Sequence, residues 1–420
     1  QNMVEYNTQK NPGSLPADFG FNPNYRETLQ KYPSLFPSTP SEQAPDVIAY
    51  VDPKFKMPQV WRSNLNVDIQ LPYDFMLSVG AMYTRDIYNV AQINMNEAEP
   101  TGVYNEQPDR IYWASKKYEY NDYTNGKNVV VKLSNGEDKG YQYSFNAILT
   151  KKYDFGFTGS IGYTYTMAKD LTANPGSAPN SAWQNNVAVN SLNDPGVSYS
   201  LFSTPHRIIA NASYEINYAK CLKTTFSLFY SGYHTGRYSY TYYNDMNGDG
   251  NYSDLIYVPN SQDEMTFVDI TDKSGAITYS AVDQAKDFWD FVNNDSYLKD
   301  RKGKYVERNG SLTPWINRFD FKIAQDFYAT LGGRKYGIQV SLDMLNVGNM
   351  INSKWGAYQS CGLKSYDNVQ LLKTASKVGE PLTYQINANS REAFKERSSW
   401  QYTNTIGSAW SMQLGVKVTF

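Results

Sequence analysis

Apolar and polar residues alternate with period two in nine stretches of this chain, and the last stretch is the clearest. Trp410, Met412, Leu414, Val416, Val418 and Phe420 share one side, and Ser411, Gln413, Gly415, Lys417 and Thr419 share the other. Successive side chains of a strand point to opposite faces, so this period predicts a strand with one apolar and one polar face. The same pattern runs through residues 61–71, 75–83, 141–150, 155–167, 207–217, 222–230, 315–327 and 336–344. Charges sit inside the alternation rather than at its ends. Arg207, Glu215, Arg318, Asp320, Lys322 and Asp343 all fall opposite the apolar series.

The connections between these stretches also alternate. Tight turns are expected at about 72–74, 151–154, 218–221 and 328–334, and long loops at about 97–136, 170–203, 243–312 and 349–408. A β-barrel crossing a membrane has this layout, with short turns on the periplasmic side and long loops outside. Its strands face lipid on one side and a wet lumen on the other. On the lipid face each internal charge would cost about 2–4 kcal/mol near mid-bilayer, so the charged face is assigned to the lumen. The bland alternative is a half-buried soluble sheet, which seldom places every long connection at one end.

Composition favours the membrane reading. Mean hydropathy is −0.59, and no run approaches the ~18 apolar residues of a membrane helix. Barrels evade that test because only alternate residues meet lipid. The chain of 420 residues holds 37 Tyr, 19 Phe and 8 Trp, an excess suited to aromatic girdles at the two membrane interfaces. A net charge of −2 leaves no basic footprint for nucleic acid.

The expected fold is therefore an all-β transmembrane antiparallel barrel, placed in the Gram-negative outer membrane. Residues 1–57, rich in Asn, Pro and Ser, are expected to be an external loop region, and residues 58–420 to be strands and long loops. A hairpin of residues 369–374 against 381–386, turning at Val378 and Gly379, is read as an external excursion. If it crossed the membrane, the count would rise from nine strands to eleven. Single-chain bacterial barrels use even numbers, so an N-terminal part of the barrel is expected to precede Gln1. The absence of a signal peptide agrees with that, and the closing strand would then pair with a first strand outside this chain.

The tail resembles the signal recognised by the barrel-assembly machinery, carried here by Gln413, Gly415, Val418 and Phe420. Other segments carry a wider resemblance, covering roughly residues 200–420. They are Thr204-Pro205-His206-Arg207 opening a strand, Leu228-Phe229-Tyr230-Ser231-Gly232, and Asp245-Met246-Asn247-Gly248-Asp249-Gly250-Asn251 followed by Asp254-Leu255-Ile256-Tyr257-Val258-Pro259. Asn346-Val347-Gly348-Asn349, Asn352, Trp355-Gly356 and the closing Trp410 to Gly415 complete the series. Together they resemble the Oar-like TonB-dependent receptors of Bacteroidetes. That resemblance implies a 22-stranded barrel, of which this chain would be the C-terminal part, with an N-terminal plug absent from these residues. It implies energised nutrient uptake through TonB, contact with outer-membrane lipid and lipopolysaccharide, and contact with the barrel's own N-terminal half. A surface lipoprotein or another outer-membrane subunit is a further partner. Arg207, Glu215, Arg318, Asp320, Lys322 and Asp343 would contact the plug or line the path beside it. Two alternatives remain open: a passive porin-like channel, and a structural or adhesive barrel.

Candidate chemistry is sparse. Asp245, Asn247, Asp249, Asn251 and Asp254, with Gly250 at the sixth position, match the start of a calcium loop, but Ile256 stands where the final Glu belongs. The competing reading is a polar turn. Tyr238, Tyr240, Tyr242 and Tyr243, and also Tyr118, Tyr120 and Tyr123, are candidate ligand aromatics weighed against girdle or loop packing. Residues 283–293 are expected to form a short amphipathic helix. His206 and His234, the two histidines, have no carboxylate or cysteine pattern around them, so no enzyme is expected. Cys221 and Cys361 fall in connections at opposite ends and are not expected to pair.

Overall fold

The computed structural model describes residues 16–20, 22–33, 47–120, 129–252, 254–365, 367–398 and 400–420. They belong to two units. In the smaller, made of Gln1–Asp46 and Asn121–Asn128, the helix Tyr25–Lys31 is capped by the Asn24 side chain, which accepts the Arg26 N–H. Lys31 pairs with Asp18 at 3.0 Å.

The larger unit is built on an antiparallel sheet of nine long strands, each bonded to the next in chain order. These are β1 (Gln59–Leu71), β2 (Phe75–Tyr88), β3 (Tyr141–Lys152), β4 (Phe157–Asp170), β5 (His206–Tyr218), β6 (Leu222–His234), β7 (Trp315–Leu331), β8 (Arg334–Leu345) and β9 (Ser411–Thr419). The sheet is open, with β1 and β9 as its edges. All nine alternating stretches are strands.

The register aligns the nine apolar faces. Ile69, Leu77, Leu149, Ile161, Ala210, Tyr230 and Phe319 are successive cross-strand partners from β1 to β7. Phe321, Met344 and Met412 carry the face on to β9. Cross-strand partners point to the same side, so this side is apolar across the middle of the sheet, with polar groups such as Asn317 and Gln325 nearer its ends. Phe145 and Ile161, in the middle of the sheet, are each 54% exposed. An apolar face of that extent meets lipid rather than water.

Aromatic residues gather at both ends of this face. Towards the long connections lie the pairs Trp61 with Tyr83, Tyr143 with Tyr165, Tyr230 with Phe319, and His234 with Trp315. His206 sits there too, its Nδ1 2.7 Å from the Tyr163 hydroxyl. Towards the short turns, Tyr153, Phe155, Phe157 and Tyr214 form a chain of ring contacts. Lys151 closes that end, its ammonium over the rings of Phe75 and Tyr153 and bonded to the Tyr73 carbonyl. Eight residues separate Tyr165 from Phe157, about 26 Å along a strand and about 20 Å in height at a ~40° tilt. The band between the aromatic ends thus has the dimension of a thin hydrocarbon core.

All four short turns lie at one end of the sheet. Ala219 and Lys220 (φ 50° and 57°) and Gly332 and Gly333 (φ 58° and 80°) are pairs of left-handed residues, the conformation that lets two residues reverse a twisted hairpin. Between β3 and β4 the turn occupies residues 153–156, slightly later than expected, because β3 continues to Lys152 and Gly156 (φ 97°) provides the reversal.

The four long connections fold together at the other end. Arg237–Tyr242 runs parallel to Asn368–Thr374, which pairs antiparallel with Tyr384–Ile386. Ser311–Leu312 and Lys364–Ser365 complete a five-stranded sheet. The hairpin of residues 368–386 is thus an excursion outside the nine-stranded sheet, not two more strands of it. Helix Ala281–Asn294 packs on this body through Phe288 and Val292, capped by the Ser280 side chain. Residues 1–57, expected to be an external loop region, include one strand among the described residues. Val47–Val51 is a strand within that expected loop region, parallel to Val129–Ser134, which also pairs with Ala91–Asn94. Its Val-Ile-Ala-Tyr-Val run finds a partner that only the folded loops supply.

The apolar face predicts a sharp asymmetry. Ile161→Lys should cost about 2–4 kcal/mol in urea unfolding from lipid vesicles, whereas Ser213→Lys on the opposite face should cost under about 1 kcal/mol. Equal costs would contradict a lipid-facing Ile161.

Candidate functional site

Two regions of the larger unit bring functional side chains together: the polar face of the sheet and the body formed by the long connections. On the polar face every singled-out charge has a partner. Lys322 on β7 meets Asp343 on β8 at 2.7 Å. Glu215 on β5 and Asp326 on β7 flank Lys223 on β6, each at 3.6 Å. Asp320 accepts the Asn346 N–H at 2.7 Å. Arg318 lies over the Tyr358 ring, and Arg207 over that of Tyr233. Alternation placed these groups on one face, and the register brings them together across strands. A shallow cavity of about 330 Å³ lies among them, lined by Asn211, Phe229, Asp320, Lys322 and Asp343.

The loop body has its own apolar core, including Ile256, Phe288, Leu371, Leu372 and Ile386. Tyr238, Tyr240 and Tyr242 belong to it. They are 0–2% exposed, so their rings cannot meet a ligand, which corrects that expectation. The Tyr240 hydroxyl donates to Asp295 at 2.6 Å and lies 3.0 Å from that of Tyr238. Burial pushes the Tyr240 phenol well above its usual range, helped by the charges near it. The cause is packing on both sides of Arg237–Tyr242, where every residue is buried. Tyr243 stays 52% exposed. Tyr118 is buried with Val129, Val131 and Trp183, Tyr120 is exposed, and Tyr123 lies outside the described residues.

Three buried arginines, which local sequence did not signal, hold this body together. Arg110 is fully buried. It bonds the carbonyls of Val189 and Leu255 and pairs with Asp254 at 3.4 Å. Its guanidinium also lies over the rings of Tyr242 and Tyr305. Arg237 donates to the carbonyls of Ser203 and Asn309 and stacks over Tyr199. Arg308 pairs with Asp170 at 3.1 Å and donates to its carbonyl. A planar donor fork suits this role, because it satisfies several carbonyls from different loops at once. Arg110 and Arg237 each draw partners from two connections, and Arg308 joins its own connection to the stretch 170–196.

The Asp/Asn loop is placed by Arg110. Asp245 accepts the N–H groups of Gly248 and Gly250 at 2.7 and 2.9 Å. Asn247 accepts from Asp249, Asp249 from Asn251, and Asp254 from Met246. Side-chain oxygens of Asp245, Asn247, Asp249 and Asp254 are thus turned onto the loop's own backbone, and Arg110 occupies one side of Asp254. Among the described residues, no three His, Cys, Asp or Glu side chains are arranged to hold a metal ion. Burial raises the Asp254 carboxyl to about 7, opposed by Arg110. Asp249 is pushed well above the usual carboxylate range by burial and by the charges of Asp254 and Asp245.

A second cavity, of about 470 Å³, opens beside this body. Gln92, Lys132, Glu137, Asp138, Trp183 and Asn193 are among its walls. Cys221 and Cys361 are both free. Cys361 is buried and its thiol donates to the Arg397 carbonyl at 2.8 Å. Within the tail, Gln413 and Gly415 face Asp343 and Ser341, and Val418 faces Ile338. Phe420 is 94% exposed.

Comparison with known proteins gives one match. The family model described as outer membrane beta barrel domain covers residues 1–357, which include eight of the nine long strands. No curated protein and no solved structure matches the chain.

Two outcomes follow from the Arg110–Asp254 pair. At pH 8, where Asp254 is ionised, Asp254→Ala leaves a buried guanidinium without its carboxylate and should cost the loop body about 3–5 kcal/mol, read as lost amide protection across residues 240–258 with β1–β9 unaffected. The pH dependence has a fixed sign. Native Asp254 holds its proton up to about 7, while an unfolded Asp releases it near ~4. Stability of the body should therefore rise as pH falls from 8 to 6. Protection that falls over that range would contradict a buried, proton-retaining Asp254.

Proposed function

The chain belongs to the outer membrane beta barrel domain family and is a β-barrel protein of the Gram-negative outer membrane, and from that premise we propose that it is a TonB-dependent receptor importing a nutrient. The observation that carries this reading is the loop body. A passive channel needs an open mouth, whereas here all four long connections merge into one packed body with a core of its own. Such a body is a ligand-capture surface placed on the external side, with the short turns facing the periplasm. The paired charges of the polar face then line the lumen, where they steer polar cargo or hold a plug. The resemblance of residues 200–420 to Oar-like receptors supports the same reading. Calcium at residues 245–254 is not part of this proposal, because Arg110 occupies one side of Asp254 there.

Nutrient-growth profiling of single and double deletions tests it. Cells lacking this protein should show a growth defect on a particular nutrient, and cells lacking TonB should show the same defect. Removing both should add nothing. A defect that persists additively in TonB-null cells would instead support a passive channel, and loss of surface attachment without any growth defect would support an adhesive barrel.

A further inference from the structure

The loop body carries a third cavity whose chemistry differs from the rest of the molecule. It has a volume of about 350 Å³. Lys364, Lys373 and Arg397 line it, together with Tyr243, Gln370 and Asn387, and no carboxylate does. Lys364 has one acidic neighbour, Asp367 at 3.6 Å, which is not part of the wall. Neither Lys373 nor Arg397 has an acidic partner within 4.0 Å among the described residues. Elsewhere in the body the buried arginines are matched by carbonyls or carboxylates. Here three cations converge on open space.

The walls are held by backbone bonds rather than by loose surface chains. Leu363 donates its N–H to the Arg397 carbonyl at 3.1 Å, and Gln370 to that of Leu363 at 3.1 Å. Tyr243 donates to Leu372 at 2.7 Å, and Asn387 to Leu371 at 2.9 Å. The Asn387 side chain is fixed by a bond to the Gln370 carbonyl at 2.9 Å. Segments from four regions of the sequence are therefore locked around the cations. Tyr243, the one exposed ring of its cluster, stands at the rim.

We propose that this cavity binds an acidic sugar, one carrying carboxylate, sulfate or phosphate. Lys and Arg together supply charge-assisted hydrogen bonds to an anionic group, with Arg matching its planar oxygens. The amides of Gln370 and Asn387 suit hydroxyls, and a tyrosine ring offers an apolar surface to a sugar face. A purely inorganic anion would leave the ring and the amides without a role. Two sources share this chemistry: a soluble acidic oligosaccharide, and the phosphorylated sugars of lipopolysaccharide beside the protein. The inference does not depend on transport and concerns binding alone.

Calorimetric titration of the full chain in detergent micelles tests it, with a sulfated hexasaccharide as the probe and maltohexaose as the neutral control. The sulfated probe should bind with an affinity that falls as salt is raised, and maltohexaose should bind at least tenfold more weakly. Lys373→Gln and Arg397→Gln should each weaken the sulfated probe roughly tenfold, while circular dichroism and the unfolding shift on gels stay at wild-type values. Lys364→Gln should do less, since Asp367 already offsets that charge. Competition separates the sources. Displacement of the probe by lipopolysaccharide vesicles, but not by plain phospholipid vesicles, assigns the site to the membrane's own sugars, and absence of displacement assigns it to a soluble ligand. Equal affinity for sulfated and neutral sugars, or unchanged affinity in both the Lys373 and Arg397 variants, would overturn the proposal.

Discussion

In hydrocarbon no water is available to satisfy a backbone N–H or C=O, so every spanning strand must bond its neighbours along its length. That requirement fixes the pairings of β1 to β9, and the lipid fixes their register. A slip of one residue at any pairing would turn a whole strand's apolar set into the lumen and its charges into the membrane. The row from Ile69 to Phe319 shows the requirement met at six successive interfaces. The ion pairs of the polar face follow from the same registers, since Lys322 meets Asp343 only because Phe321 meets Met344.

Outside the bilayer a different solution operates. The loop body has an aqueous exterior and a conventional core, but much of its backbone is irregular and must be satisfied case by case. Arg110 and Arg237 do much of that, each bonding carbonyls from two connections, and Arg308 ties its own connection to the end of β4. Buried tyrosines add area while keeping hydroxyl partners, as Tyr240 does with Asp295 and Tyr384 with Gln107. Removing one arginine there would unlink several loops at once.

The nine strands were legible because alternation is local, and each stretch shows its two faces without reference to any other. The tight turns were legible from Gly332 and Gly333 and from the polar residues around Lys220. The loop body was not, because its core depends on contacts between distant segments. Arg237–Tyr242 is buried on both sides, so its alternating tyrosines mimic a strand with one ligand-ready face. Val47–Val51 looks like an isolated apolar run until Val129–Ser134 is placed beside it. The helix at Ala281–Asn294 was readable from spacing alone, since Phe288 and Val292 lie one turn apart. The cations at 364, 373 and 397 carry no shared local pattern, and only the folded loops bring them to one cavity.

The parallel pairing of Arg237–Tyr242 with Asn368–Thr374 also constrains the order of assembly. Tyr240 and Val369 are register partners 129 positions apart, and two strands of the large sheet, β7 and β8, lie between them in the chain. The loop body therefore has high contact order and cannot nucleate on any one connection. Its central sheet closes only after the segments on either side of β7 and β8 have reached the same side of the membrane.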